Sequence, residues 1–130
     1  MLKISLKING RVISKKNSRR IFAKHGRIIN IPSGAYARYK DSALNQLAEQ
    51  ITNTIQPPYK IDYLFEMKGA ISNDFDNMIT SINDILQDAN IIENDKYIRK
   101  GTYEVTTGNK EFTTYIDIES LDNLINYEQI

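Results

Sequence analysis

Asp74-Phe75-Asp76, followed directly by Asn77, is the stretch of this chain best suited to chemistry. It follows residues whose apolar members alternate and precedes residues whose apolar members recur at helical spacing, so it stands between an expected strand and an expected helix. Carboxylates at i and i+2 of extended backbone project to one side. Hard divalent cations take clustered oxygen ligands of that kind. Asp84 lies further along the expected helix, on a polar stripe with Asn77, Ser81 and Asp88, from which it would face the same cluster. Asp95 opens the next expected strand, and a short return connection would bring it alongside. A Mg²⁺ or Mn²⁺ ion held there would polarise a phosphoryl oxygen, lower the pKa of a bound water and stabilise the leaving oxygen of a phosphodiester. The competing uses are ordinary ones. Asp74 or Asp76 would cap the helix, Asp84 and Asp88 would be solvated, and Asp95 would serve a turn.

Charge separates the chain into two parts. Residues 1–40 hold eleven Lys and Arg and no acid, whereas the rest holds six Lys and Arg against sixteen acids, so the net charge of +1 conceals the asymmetry. A basic part suits phosphates and an acidic part suits a cation. Lys15, Lys16, Arg19, Arg20, Lys24 and Arg27 carry the basic part, and Asn17 and Ser18 add donors for phosphate oxygens. The alternative is a solvated basic surface without a partner. Tyr36, Tyr39, Tyr59 and Tyr63 are candidates to stack on unpaired bases, with packing in the core or between protomers as their commoner use.

The elements that must position these groups follow from periodicity. Leu2, Ile4, Leu6 and Ile8 alternate with polar residues and predict a strand ended by Asn9-Gly10. Ser14 to Arg20 reads as a polar loop, and Ile21–Lys24 and Arg27–Ile31 as a hairpin turning at His25-Gly26. Ser33 is the expected N-cap of a helix carrying Tyr36, Tyr39, Ala43, Leu47, Ile51 and Ile55 and stopped before Pro57-Pro58. Ile61, Tyr63, Phe65 and Met67 predict a second major strand; Met78, Ile79, Ile82, Ile85, Leu86 and Ala89 predict a second helix. A turn at 90–95, strands over 97–106 and 112–118 joined at Gly108-Asn109, and a short helix at 120–127 complete the reading. These elements make one α+β domain spanning 1–130, a mixed sheet with two principal helices.

Combined, the motifs resemble the RusA family of Holliday-junction resolvases. The resemblance lies in Asp74-Phe75-Asp76-Asn77, Asp84 within S-I-N-D-I-L-Q-D, and Glu93-Asn94-Asp95 before Tyr97-Ile98, with S-K-K-N at 14–17 and P-S-x-x-Y from Pro32 to Tyr36 upstream. It implies a small homodimeric, Mg²⁺-dependent endonuclease that cuts symmetrically related strands of a four-way DNA junction. Asp74, Asp76 and Asp95 match the family's metal-binding acids, and Asn77 and Asp84 match further positions of its motif. The chain departs from the pattern twice: Thr80 stands where the family often has a catalytic lysine, and Asn94 replaces the first acid of a pair. A junction-binding protein with weakened or lost nuclease activity is the alternative those departures imply.

Composition narrows the remaining classes. Without cysteine there is neither a disulfide framework nor a thiolate zinc site. A single histidine, His25, leaves no Ser-His-Asp triad and no multi-histidine metal site. No apolar run approaches the ~18 residues of a membrane span, so a cytoplasmic protein is expected.

Overall fold

The computed structural model of the chain describes residues 3–14, 19–24, 27–32, 34–51, 53–70 and 74–121, with backbone alone over the 19–32 hairpin. In chain order the elements are β1 (Lys3–Asn9), β2 (Arg19–Lys24), β3 (Arg27–Pro32), α1 (Gly34–Ala48), β4 (Tyr59–Lys68), α2 (Phe75–Asp88), β5 (Ile98–Asn109) and β6 (Thr113–Ser120), with one 3₁₀ turn at Asp95–Tyr97. Four strands form a mixed sheet in the order β1-β6-β4-β5, and β2 and β3 pair as a separate antiparallel hairpin. This is the expected α+β architecture.

Alternation decides which face of the sheet is covered. Leu6 of β1 lies opposite Ile116 of β6, which lies opposite Tyr63 of β4; Ile8, Thr114 and Phe65 form the next rung. All six are buried, and the apolar ones share one cluster with Ala43 and Leu47 of α1 and with Met78, Ile82, Ile85 and Leu86 of α2. Both helices therefore cover this face. The opposite rungs, such as Lys7 with Tyr115, stay accessible, with the Lys7 ammonium 5.8 Å from the Tyr115 ring centroid. Truncating a fully buried residue such as Ile82 to Ala would cost about 2–5 kcal/mol.

α1 stops at Ala48, short of the expected end near Pro57. Ile51 and Ile55 still pack on the core, one partly and one fully buried, but from irregular backbone. The end of α1 is fastened to β1. Gln46 bonds both backbone groups of Asn9, at 2.7 and 3.0 Å, and Gln50 both of Lys7, at 2.8 and 2.7 Å. Two side-chain amides thus act as a neighbouring strand for an otherwise open edge.

β4, α2 and β5 form a β-α-β unit in which β4 and β5 run parallel. β5 runs on to Asn109, past the expected turn at Gly108-Asn109, and the chain reverses over 110–112. Gly108 accommodates the strand end with φ +80°, while Gly69 and Asn109 bond across the two strand termini at 3.0 Å. Near its start β5 is offset, so that Ile98 faces Tyr59 but Lys100 faces Lys60, with Arg99 as the additional residue. Gly101 then passes so close to β4 that a Cβ there would lie 1.8 Å from the Ile61 carbonyl oxygen. Only glycine fits this approach. Among the described residues no helix is long and apolar enough to cross a membrane; of the helix expected at 120–127, Ser120 instead ends β6, and 122–127 lie outside those residues.

Candidate active site

α2 starts where β4 has just ended, and this places Asp74 and Asp76. Asp74 is the N-cap residue, extended at φ −62° and ψ 117°, yet its side chain makes no capping hydrogen bond. Asp76 sits in the first helical turn, not in the extended backbone the sequence predicts. Favourable placement of acids against the positive end of a helix explains how the turn tolerates it. Both carboxylates are exposed, and Asn77 is half-buried beside them. Thr80 is exposed one turn on, and its hydroxyl donates to the Asp76 carbonyl at 3.0 Å.

The polar stripe of α2 does another job than the one expected of it. Ser81 is buried and donates to the Ile13 carbonyl at 2.9 Å. Asp88 forms an ion pair with Lys40 of α1. Asp84 lies near enough to Tyr36 and Lys40 to raise the pKa of both, after burial as the main cause for Tyr36 and the Asp88 hydrogen bond as the main cause for Lys40. The stripe at 77, 81, 84 and 88 is thus the seam toward α1 and the end of β1. Residues 75, 79 and 83 lie on another flank of the helix, as its 3.6-residue period requires.

Asp95 is exposed and opens the 3₁₀ turn before β5. Its backbone N–H donates to Gln87 Oε1 at 3.2 Å, which ties it to a side chain of α2. The Gln87 side chain itself folds back to donate to the Asn83 carbonyl at 3.2 Å, and Asp95 lines one cleft with Ile79, Asn83 and Tyr103, so it lies along the flank of α2. Among the described residues no group of three or more His, Asp or Glu has the geometry to hold a metal ion. Asn94, a possible oxygen ligand from its sequence position, spends its Oδ1 accepting from the Lys96 N–H at 3.0 Å.

Of the expected DNA contacts, Lys15, Lys16 and Asn17, with Ser18, lie outside the described residues. Arg19, Arg20 and Lys24 belong to β2 and Arg27 to β3, where the register sets Lys24 opposite Arg27. Further basic residues lie where β1 and β4 finish. Lys68 and Lys110 line a cleft of about 330 Å³ there, and the Arg11 guanidinium lies 5.6 Å from the Phe112 ring centroid. This is also the end of the sheet from which the chain passes into Asp74.

A second cleft, of about 280 Å³, runs along the flank of α2 above β5. Ile61, Ile79 and Ile98 wall it, Asp95 stands at one end, and Tyr103 and Asn83 contribute to its lining. Tyr63 donates its hydroxyl to Asn83 Oδ1 at 2.6 Å. The Tyr63 pKa is raised, chiefly by burial, with Asp95 adding to the shift and the Asn83 bond opposing it. Phe75 stacks on Tyr103 with centroids 4.1 Å apart and planes 5° from parallel.

The exposed aromatics are therefore not those the sequence singled out. Tyr36, Tyr39, Tyr59 and Tyr63 are all buried, whereas Phe75 and Tyr103 are 38% and 50% exposed. Phe75 was legible only as the residue between two aspartates. Tyr103 was legible only as a member of the strand expected over 97–106. No protein-family model matches the chain, and no curated protein matches it.

Proposed function

We propose that this protein is a Mg²⁺-dependent, structure-selective DNA endonuclease, a Holliday-junction resolvase of the RusA type that acts in the cytoplasm as a homodimer. One observation carries the reading. Asp74 occupies the N-cap of α2 but leaves its carboxylate out of capping, so the ordinary explanation for an aspartate there is not in use. Asp76 is exposed beside it, and Lys68 and Lys110, with Glu111 also in the lining, border a cleft where β4 finishes, with Arg11 over the Phe112 ring. An acid pair next to a basic rim suits a phosphodiester backbone.

In this reading Asp74, Asp76 and Asp95 serve one cation, and a homodimer presents two such sites to a junction of approximately two-fold symmetry. Each site would hold its cation through carboxylate oxygens, with Mn²⁺ able to replace Mg²⁺. Asn77 and Asp84 support α2 in this reading and do not touch the cation.

A second reading, a junction-binding protein with weakened nuclease activity, is favoured by Thr80. Its hydroxyl is bonded to the helix backbone, so the position offers no cation to a developing phosphorane charge. The two readings separate on a labelled four-way junction and a matched linear duplex, each with and without Mg²⁺. Resolution of the junction only with Mg²⁺ is the expected result. Binding without cleavage supports the second reading, and equal binding to both DNAs at every salt concentration contradicts both.

A further inference from the structure

We infer that the cleft between α2 and β5 is a nucleobase site, which takes one unpaired base of the DNA strand next to the phosphate that would meet the acids through their cation. The inference rests on the endonuclease reading above and deepens it, since it names what the enzyme reads beyond the backbone.

Chemistry and position both point this way. Phe75 covers one face of the Tyr103 ring at 4.1 Å, and half of Tyr103 remains exposed. Stacking of this kind fixes a tyrosine as a rigid platform, and base-on-aromatic stacking is how proteins hold single unpaired bases. The apolar walls of Ile61, Ile79 and Ile98 suit the edge of a flat heterocycle. Asn83 supplies orientation. Its Oδ1 is committed to the Tyr63 hydroxyl at 2.6 Å, so its amide presents Nδ2, a donor, for an acceptor on a base edge. The volume of about 280 Å³ admits one base and no paired step. Phe75 itself sits between Asp74 and Asp76, so a base on this platform belongs to the nucleotide at the acids. A duplex hides its bases from such a cleft, whereas a branch point releases them.

The test uses a duplex with a one-base bulge of 2-aminopurine, bright when unstacked, with the full-length protein in chelator so that no strand is cut. Wild type should quench the fluorescence on binding. Tyr103→Ala should bind the bulged duplex about tenfold more weakly and lose the quench, while leaving affinity for fully paired duplex unchanged. Tyr103→Phe should keep the quench, and Asn83→Ala should lower affinity for the bulge but not for the duplex. A circular-dichroism melt confirms that each variant is folded. Binding of the bulge by wild type without a quench, or a quench that survives Tyr103→Ala, overturns the base site and leaves the endonuclease reading standing. Failure of wild type to bind an unmodified four-way junction, measured in parallel by anisotropy, overturns the endonuclease reading and the base site with it.

Discussion

Asp74 is the residue on which two physical accounts diverge most cleanly. A capping aspartate replaced by alanine costs about 0.5–2 kcal/mol. Asp74 makes no capping bond, so Asp74→Ala should cost less than about 0.5 kcal/mol in urea unfolding while abolishing Mg²⁺-dependent cleavage. A stability loss near the upper capping value with cleavage intact would return Asp74 to a structural role. Thr80 yields the complementary expectation. Its hydroxyl satisfies itself on the Asp76 carbonyl at 3.0 Å, a bond a helix does not need. Thr80→Lys should therefore leave the fold intact and raise the single-turnover cleavage rate, about tenfold for each 1.4 kcal/mol gained at the transition state. No change in the chemical step would show that the site needs no cation at that position. The D-x-D-N acids were legible in the sequence because an acid pair at an element boundary has few uses. Asn94 and Ser81 were not, since a cap and a buried hydroxyl depend on which backbone group happens to lie within reach.

Among the elements, strands were read best, because a period of two survives whatever packs on the sheet. β1 and β4 fall where alternation puts them. The first helix was read too long, since apolar spacing continues through Ile51 and Ile55 after the backbone has left the helix. The seam between α1 and α2 was hidden for a related reason. A polar stripe looks solvated until a second helix with Lys40 and Tyr36 is placed against it. That seam and the sheet beneath it bury tyrosines, and their titration gives a test. Tyr36, Tyr39 and Tyr63 all have pKa values raised above 10.0, each chiefly by burial. In the unfolded chain they ionise near the ordinary value of about 10, whereas in the folded protein they stay protonated. Their contribution is thus fully present below about pH 10 and is lost as pH rises beyond it toward the folded values. Urea midpoints should be flat from pH 7 to 9 and fall steeply toward pH 11, and Tyr63→Phe should reduce that fall. A midpoint that rises with pH in this range would contradict the burial of these hydroxyls.

At the scale of the whole molecule, the charge asymmetry and the placement of the acids around α2 together shape the account. In the proposed function the basic first part of the chain and the basic residues at the sheet end meet DNA, while Asp74, Asp76 and Asp95 border one helix. Sequence placed Asp95 near the other acids because a turn was expected to bring the chain straight back. The β-α-β crossover returns it to the flank of α2, in the cleft that Ile79, Asn83 and Tyr103 also line. Cleavage of a labelled four-way junction tests the proposed site most directly. Asp76→Asn and Asp95→Asn should each bind the junction and each fail to cut it in Mg²⁺, where the wild type cuts. Cleavage by either variant contradicts the assignment of the acids.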